Sequence, residues 1–220
     1  MSSASCQVDI ENEIAVLTLL RPYCLNIAGK RDLTETVKGL AEDQSVRALI
    51  VTSSHPQAWL VDVAELANMT PAEARAFSEA GHVLVDALSN LSFPTIAAVN
   101  SPALGGGCEL AVACDLLYAG KDAQFGQIEC LGGVIPGFGG TWRLVQRVGM
   151  SRAMEMIFTA EVLSADQAQE INLILEVVRG ERLLDHCRDI AHEDQGYRPI
   201  CRFFGKASSF KRSGEGVVRG

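Results

Sequence analysis

Glu109 and Glu129 are the residues whose surroundings ask for a chemical explanation. They lie in G-G-G-C-E-L-A-V-A-C-D (105–115) and A-Q-F-G-Q-I-E-C (123–130), among glycines and apolar side chains where a charge is costly. Each has a plain reading. Glu109 sits in the first turn of an expected helix, where a carboxylate complements the helix dipole. Glu129 reads as a loop surface acid after a strand. Together, beside a glycine turn, they read as an acid/base pair next to an oxyanion site, the equipment for moving a proton beside a carbonyl. The glycines also carry two readings. They permit close packing, and they expose unpartnered amides at a helix start that can hold a phosphate or a developing oxyanion. No G-K-[ST] follows them and no G-x-G-x-x-G is present.

The elements that must position these residues follow from periodicity and caps. Val8–Ile10 and Ile14–Leu20 read as a hairpin turning at Glu11-Asn12-Glu13. A helix spans 30–42, with Leu33, Val37 and Leu40 on one side, and 46–51 reads as a buried strand. Thr70-Pro71-Ala72-Glu73 is a capping box that starts a helix running to about Leu88. Thr95–Val99 is a strand, Cys108–Cys114 a short helix, Asp115–Ala119 a strand, and 123–126 a further one. The loop 135–140 feeds helices over 141–148 and 151–158, Ser164-Ala165-Asp166-Gln167 is a second capping box, 173–178 a late strand, and 181–191 a last helix. Strands alternating with helices predict an α/β fold with mainly parallel pairing.

Composition bounds the function. The chain has 220 residues, 48% of them hydrophobic and 21% charged, enough for one sizeable core, and its net charge of −8 argues against nucleic-acid binding. Seven cysteines in no C-x-x-C pair argue against a disulfide framework or zinc site and for a reducing compartment, hence a cytoplasmic expectation. His55, His82, His186 and His192 form no metal-spaced set. No secretory signal or membrane-inserting segment is visible, and no G-x-S-x-G elbow occurs.

The segment Pro94–Leu144, from P-T-I-A-A-V-N-S-P-A-L-G-G-G-C-E-L-A-V-A-C-D to A-Q-F-G-Q-I-E-C-L-G-G-V-I-P-G-F-G-G-T-W-R-L, closely resembles the enoyl-CoA hydratase (crotonase) family, and more weakly so does Val8–Val178. The resemblance implies a spiral of ββα units, assembled as homo-trimers or hexamers, acting on acyl-CoA thioesters with two amides around an enolate oxygen. Coenzyme A is then part of the substrate, and no separate cofactor or metal is expected. Glu109 and Glu129 match the two catalytic glutamates of the hydratase branch, and Gly106 one oxyanion amide. Retention of both acids favours hydration of a 2-enoyl thioester. Gly105, Gln127 and Gly137 would shape the substrate pocket. Isomerisation or dehydration of a CoA- or carrier-bound acyl group, or a non-catalytic subunit that kept the fold, are the alternatives.

Three departures from the family pattern stand out. The loop form A-G-x-D appears as Ala58-Trp59-Leu60-Val61-Asp62, so Val61 falls at the second amide, Asp62 matches the family acid, and Leu60 replaces glycine. The Leu60 side chain either narrows the acyl channel, changes the loop, or is taken up by a repacked loop with unaltered chemistry, and Trp59 adds bulk in the same place. Near the L-N-A segment (Leu25-Asn26-Ile27), Tyr23 and Cys24 stand where family members often place a basic residue near the CoA phosphates; Arg21, Lys30 and Arg31 lie nearby, and no CoA contact is assigned to any of them. Finally, residues 1–178 read as the core domain, and 179–220 as a shortened C-terminal helix with a basic tail (Arg202, Lys206, Lys211, Arg212, Arg219).

Overall fold

The computed structural model describes residues 5–61 and 66–194. A two-residue turn opens the fold. Asn12 and Glu13 both take positive φ (49° and 63°), the twist that joins β1 (Cys6–Glu11) tightly to β2 (Ile14–Leu19). Helix α1 (Ile27–Glu42) is capped by Asn26, and β3 (Ala48–Ser53) follows. Helix α2 (Pro71–Ser89) starts at the expected Thr70/Glu73 capping box, and β4 (Thr95–Val99) has the expected bounds. Then come β5 (Ala103–Leu104), α3 (Gly106–Val112), β6 (Leu116–Gly120) and β7 (Gln124–Gly126). Helices α4 (Gly140–Val148) and α5 (Met150–Thr159), strand β8 (Val162–Ser164), helix α6 (Ala165–Glu170), strand β9 (Glu176–Val178) and helix α7 (Leu183–Asp194) complete the described chain. The second capping box, Ser164/Gln167, is formed.

A six-stranded sheet runs in the order β1-β2-β3-β4-β6-β9, parallel except for β1. A small second sheet, β5-β7-β8, lies beside the glycine turn. Alternation along the strands divides the apolar residues between two faces. Leu17, Leu49, Val51, Ala97, Val99 and Leu117 join one core with α1, α2 and α3. Ile14, Val16, Ile50, Ile96, Ala98 and Tyr118 join a second one with Leu183, Cys187 and Ala191 of α7. The helix expected as a C-terminal appendage thus packs on the main sheet, while the basic tail lies outside the described residues.

Two expectations need correction. The late strand begins at Glu176, three residues later than its apolar run, because Asn172 takes a left-handed turn (φ 60°) and Leu173 and Ile174 are buried in the first core instead. Strand β8 was not foreseen: three residues with exposed ends, paired antiparallel to β7, leave no readable alternation.

Candidate active site

The glycine turn is a crossing point. Gly105 takes φ +56°, and its N–H donates to the carbonyl of Gly126, tying the turn to β7. A side chain on Gly107 would overlap the carbonyl oxygen of Trp59, so the 58–61 segment passes over α3 only because that residue is glycine. A Cβ on Gly106 would overlap the Phe138 ring and stand 2.9 Å from a Val61 methyl. Val61 and Gly106 are therefore neighbours. Neither N–H pairs with an acceptor among the described residues. Trp59 itself is wholly buried in the core, contrary to the expectation that it crowds the acyl channel, because its backbone crosses α3 with the indole turned inward.

Glu109, on the fully buried helix α3, is 1% exposed. Its Oε1 accepts the N–H of Phe138 at 2.8 Å and that of Gly140 at 2.6 Å. Gly139, at φ +91°, bends the 137–140 loop so that these amides converge. Gly140 must stay bare, since a Cβ there would stand 2.8 Å from that carboxylate. Burial pushes the Glu109 pKa up, while the amides of Gly140, Phe138 and Gly137 and the Arg143 charge pull it back.

Glu129 does not project into solvent. It begins a 3-10 turn (Glu129–Gly132), and its carboxylate leans on Gly105, with Oε1 3.0 Å from where a Cβ would be. Its Oε2 is buried and has no partner among the described residues. Burial, then the Glu109 charge, raises its pKa to about 7. The adjacent Cys108 thiol is pushed up to about 12 by burial and the two acids, so it is an inert filler.

Both acids line a cavity of about 750 Å³. Leu60, Val61, Gly105, Gly106 and Gly137 also line it, as do Leu66, Met69, Phe77, Ile128, Ile135 and Phe138, so the walls are mostly apolar. Ser78, also on the cavity wall, donates its hydroxyl to the Gly137 carbonyl at 2.6 Å. Gln127 is wholly buried and does not line the cavity; it stands behind Glu109, beside Gly140 and the Cys108 thiol. The expectation of a pocket-shaping Gln127 is thus corrected to a residue behind the wall. Asp62 lies outside the described residues.

The structure also removes Lys30 from the cations facing solvent. It is 0% exposed, donates to the carbonyl of Phe77 at 2.7 Å, and sits 2.9 Å and 4.3 Å from the ring centroids of Phe77 and Phe138. A lysine on the inward face of an amphipathic helix reads as surface only until that face is known. Arg21 donates to Ser5 and Asn26. Tyr23 and His82 line the cavity, which no spacing announced. Among the described residues there is no group of three or more His, Cys, Asp or Glu side chains able to hold a metal ion.

The family model for enoyl-CoA hydratase/isomerase matches residues 9–206. The chain belongs to the enoyl-CoA hydratase/isomerase family. It is 40% identical over 186 residues to a crotonyl-CoA hydratase of Syntrophomonas wolfei, covering 82% of this chain and 72% of that protein. A short-chain-enoyl-CoA hydratase of Clostridium acetobutylicum is 38% identical over 195 residues, 86% of this chain and 75% of that one. The crystal structure of an enoyl-CoA hydratase from Bacillus anthracis superposes with a TM-score of 0.88 at 31% identity, covering 92% of this chain and 81% of that one. The fold of this family member is accordingly the α/β crotonase fold.

Proposed function

We propose that this enzyme reversibly hydrates 2-enoyl-CoA thioesters to 3-hydroxyacyl-CoA. The observation that carries the reading is the opposite bonding state of two carboxyls, one buried and one half-buried, on one apolar cavity. Glu109 Oε1 already accepts two N–H groups, which suits a carboxylate, whereas Glu129 Oε2 has no donor among the described residues, which suits a protonated acid. In this reading the pair holds one water. Glu109 takes a proton from it as its oxygen bonds to the β-carbon, and Glu129 delivers a proton to the α-carbon. The N–H groups of Val61 and Gly106 carry the enolate oxygen between the two steps. Losing one such donor typically lowers the rate about 10²–10³-fold. Coenzyme A enters as part of the substrate.

The test is loss of the conjugated thioester absorbance of crotonyl-CoA. Turnover is expected, and its absence with substrates of several chain lengths would remove the reading. The pH dependence has a definite sign. The pair must hold one proton, and Glu129 gives up its proton near pH 7. The kcat/KM for crotonyl-CoA is therefore expected to fall as pH rises through about 7, approaching tenfold per unit.

Leu60 fills space on the cavity wall where the family pattern has glycine. Leu60→Gly is expected to raise kcat/KM for a ten-carbon 2-enoyl thioester by about tenfold relative to crotonyl-CoA, the scale of a hydrophobic pocket gaining room for a few carbons. An unchanged chain-length profile would show that Leu60 does not bound the acyl channel.

The partner reading is a homo-trimer or hexamer. Leu131, Ile135 and Phe158 are 77%, 76% and 69% exposed around the 3-10 turn and α5, apolar surface that self-association would cover. No described helix is long and apolar enough to cross a membrane. The six described cysteines are free.

A further inference from the structure

The grip on Glu109 is itself held from behind. Three consecutive peptide groups of the 137–140 loop alternate in direction. The N–H groups of Phe138 and Gly140 point at Glu109, while the Phe138 carbonyl between them accepts from Arg143 Nη1 at 3.2 Å. Arg143 Nη2 reaches Asp86 Oδ1 on α2 at 2.6 Å. The arginine side chain is only 12% exposed, and the Arg143 backbone N–H donates to the Gly139 carbonyl at 3.0 Å. Gly139 must lack a side chain here, because a Cβ would overlap the guanidinium. Arg143 does not line the cavity.

We propose that Arg143, anchored by Asp86, is a positioning residue that fixes the amides of Phe138 and Gly140 on Glu109 and holds that carboxyl in its proton-accepting form. Its activity arm rests on the hydratase reading. The geometry is bidentate: one arm of the fork ties the loop, the other ties α2, and lysine could not span both. The same cation favours the charged form of Glu109. Around this carboxyl stand Glu129 from the 3-10 turn and the Cys108 thiol beside it on α3. His82 on α2 packs beside Gly139, and Lys30 on α1 lies under the Phe138 ring. Among the described charged side chains, Arg143 is the one that donates to a carbonyl of the loop that binds Glu109.

The experiment compares R143M, R143K and D86N by pH profile of kcat/KM and by carboxyl-carbon NMR titration of Glu109. In R143M the Glu109 titration and the acidic limb are expected to move up by about one pH unit, the lower end of the effect of an adjacent cation. The kcat at pH 7 is expected to fall by up to about tenfold, the most that a one-unit shift removes from the ionised fraction, with KM within about threefold, because the cavity wall is intact. R143K recovers part of the titration shift, and D86N moves it in the same direction by less. A folded R143M with wild-type Glu109 titration and a wild-type acidic limb overturns the proposal. Should R143M not fold, D86N decides, since Asp86 is 59% exposed; an unmoved Glu109 titration there overturns it equally. If the wild-type enzyme turns over no thioester, the hydratase reading fails while the NMR titration still judges the clamp.

Discussion

Glu129→Gln is expected to lower the hydration rate of crotonyl-CoA by about 10³-fold and, at pH 8, to raise the melting temperature. The first effect follows from the proposed role of Glu129 as general acid, a role that typically supplies about 10²–10⁴-fold. The amide is nearly isosteric and keeps its place against Gly105, but it cannot deliver a proton to the α-carbon. Thioester binding should survive, so KM changes little while kcat collapses.

The second effect follows from linkage. Burial and the Glu109 charge raise the Glu129 pKa from 4.5 to about 7 in the folded protein. Between those values the folded state binds more protons than the unfolded one, so its stability falls as pH rises through that window. Above pH 7 the full penalty of an ionised, half-buried carboxyl is present, on the order of 3 kcal/mol. A neutral Gln avoids it. The stability difference between the variant and the parent should be small at pH 4.5, grow to pH 7 and then level off. A variant melting below the parent at pH 8 would mean that the Glu129 carboxylate is stabilised in the fold, and the acid role would lose its basis.

How much of this was legible in the sequence depended on how local the cause was. The two capping boxes and the Asn12-Glu13 turn were visible because each is satisfied within four residues. Glu109 and Glu129 stood out because carboxylates among glycines and apolar residues are costly. The agents that tune them were not legible. Phe138 and Gly140 present backbone amides, which have no side-chain signature, and Arg143 meets Asp86 across 57 positions. The burial of Lys30 was not legible for a related reason: its partners, the Phe77 carbonyl and two rings, come from other elements. The short strands β5 and β8 owe their existence to pairing with β7 rather than to any periodicity of their own.

Gly107→Ala tests the crossing on which the proposed oxyanion site depends. The new methyl would overlap the Trp59 carbonyl, and that neighbour is backbone, so no rotamer change relieves it. Either α3 or the 58–61 segment must retract. Helix α3 is buried along its whole length and carries Glu109, so the segment is the freer of the two. Its retraction draws the Val61 amide away from Gly106. The expected result is a hydration rate lower by about 10²–10³-fold, the scale of one lost oxyanion donor, with a stability loss of about 1–3 kcal/mol from overpacking. Gly132→Ala is the control. A Cβ there meets nothing within 4 Å, so both rate and melting temperature should stay near the parent values. The decisive measurement is exchange of substrate α-protons in heavy water at fixed pH. It reads enolate stabilisation directly and should fall in step with hydration for Gly107→Ala. Parental exchange with slowed hydration would instead place the damage at Glu109 or at water binding, and Val61 would not be an oxyanion donor.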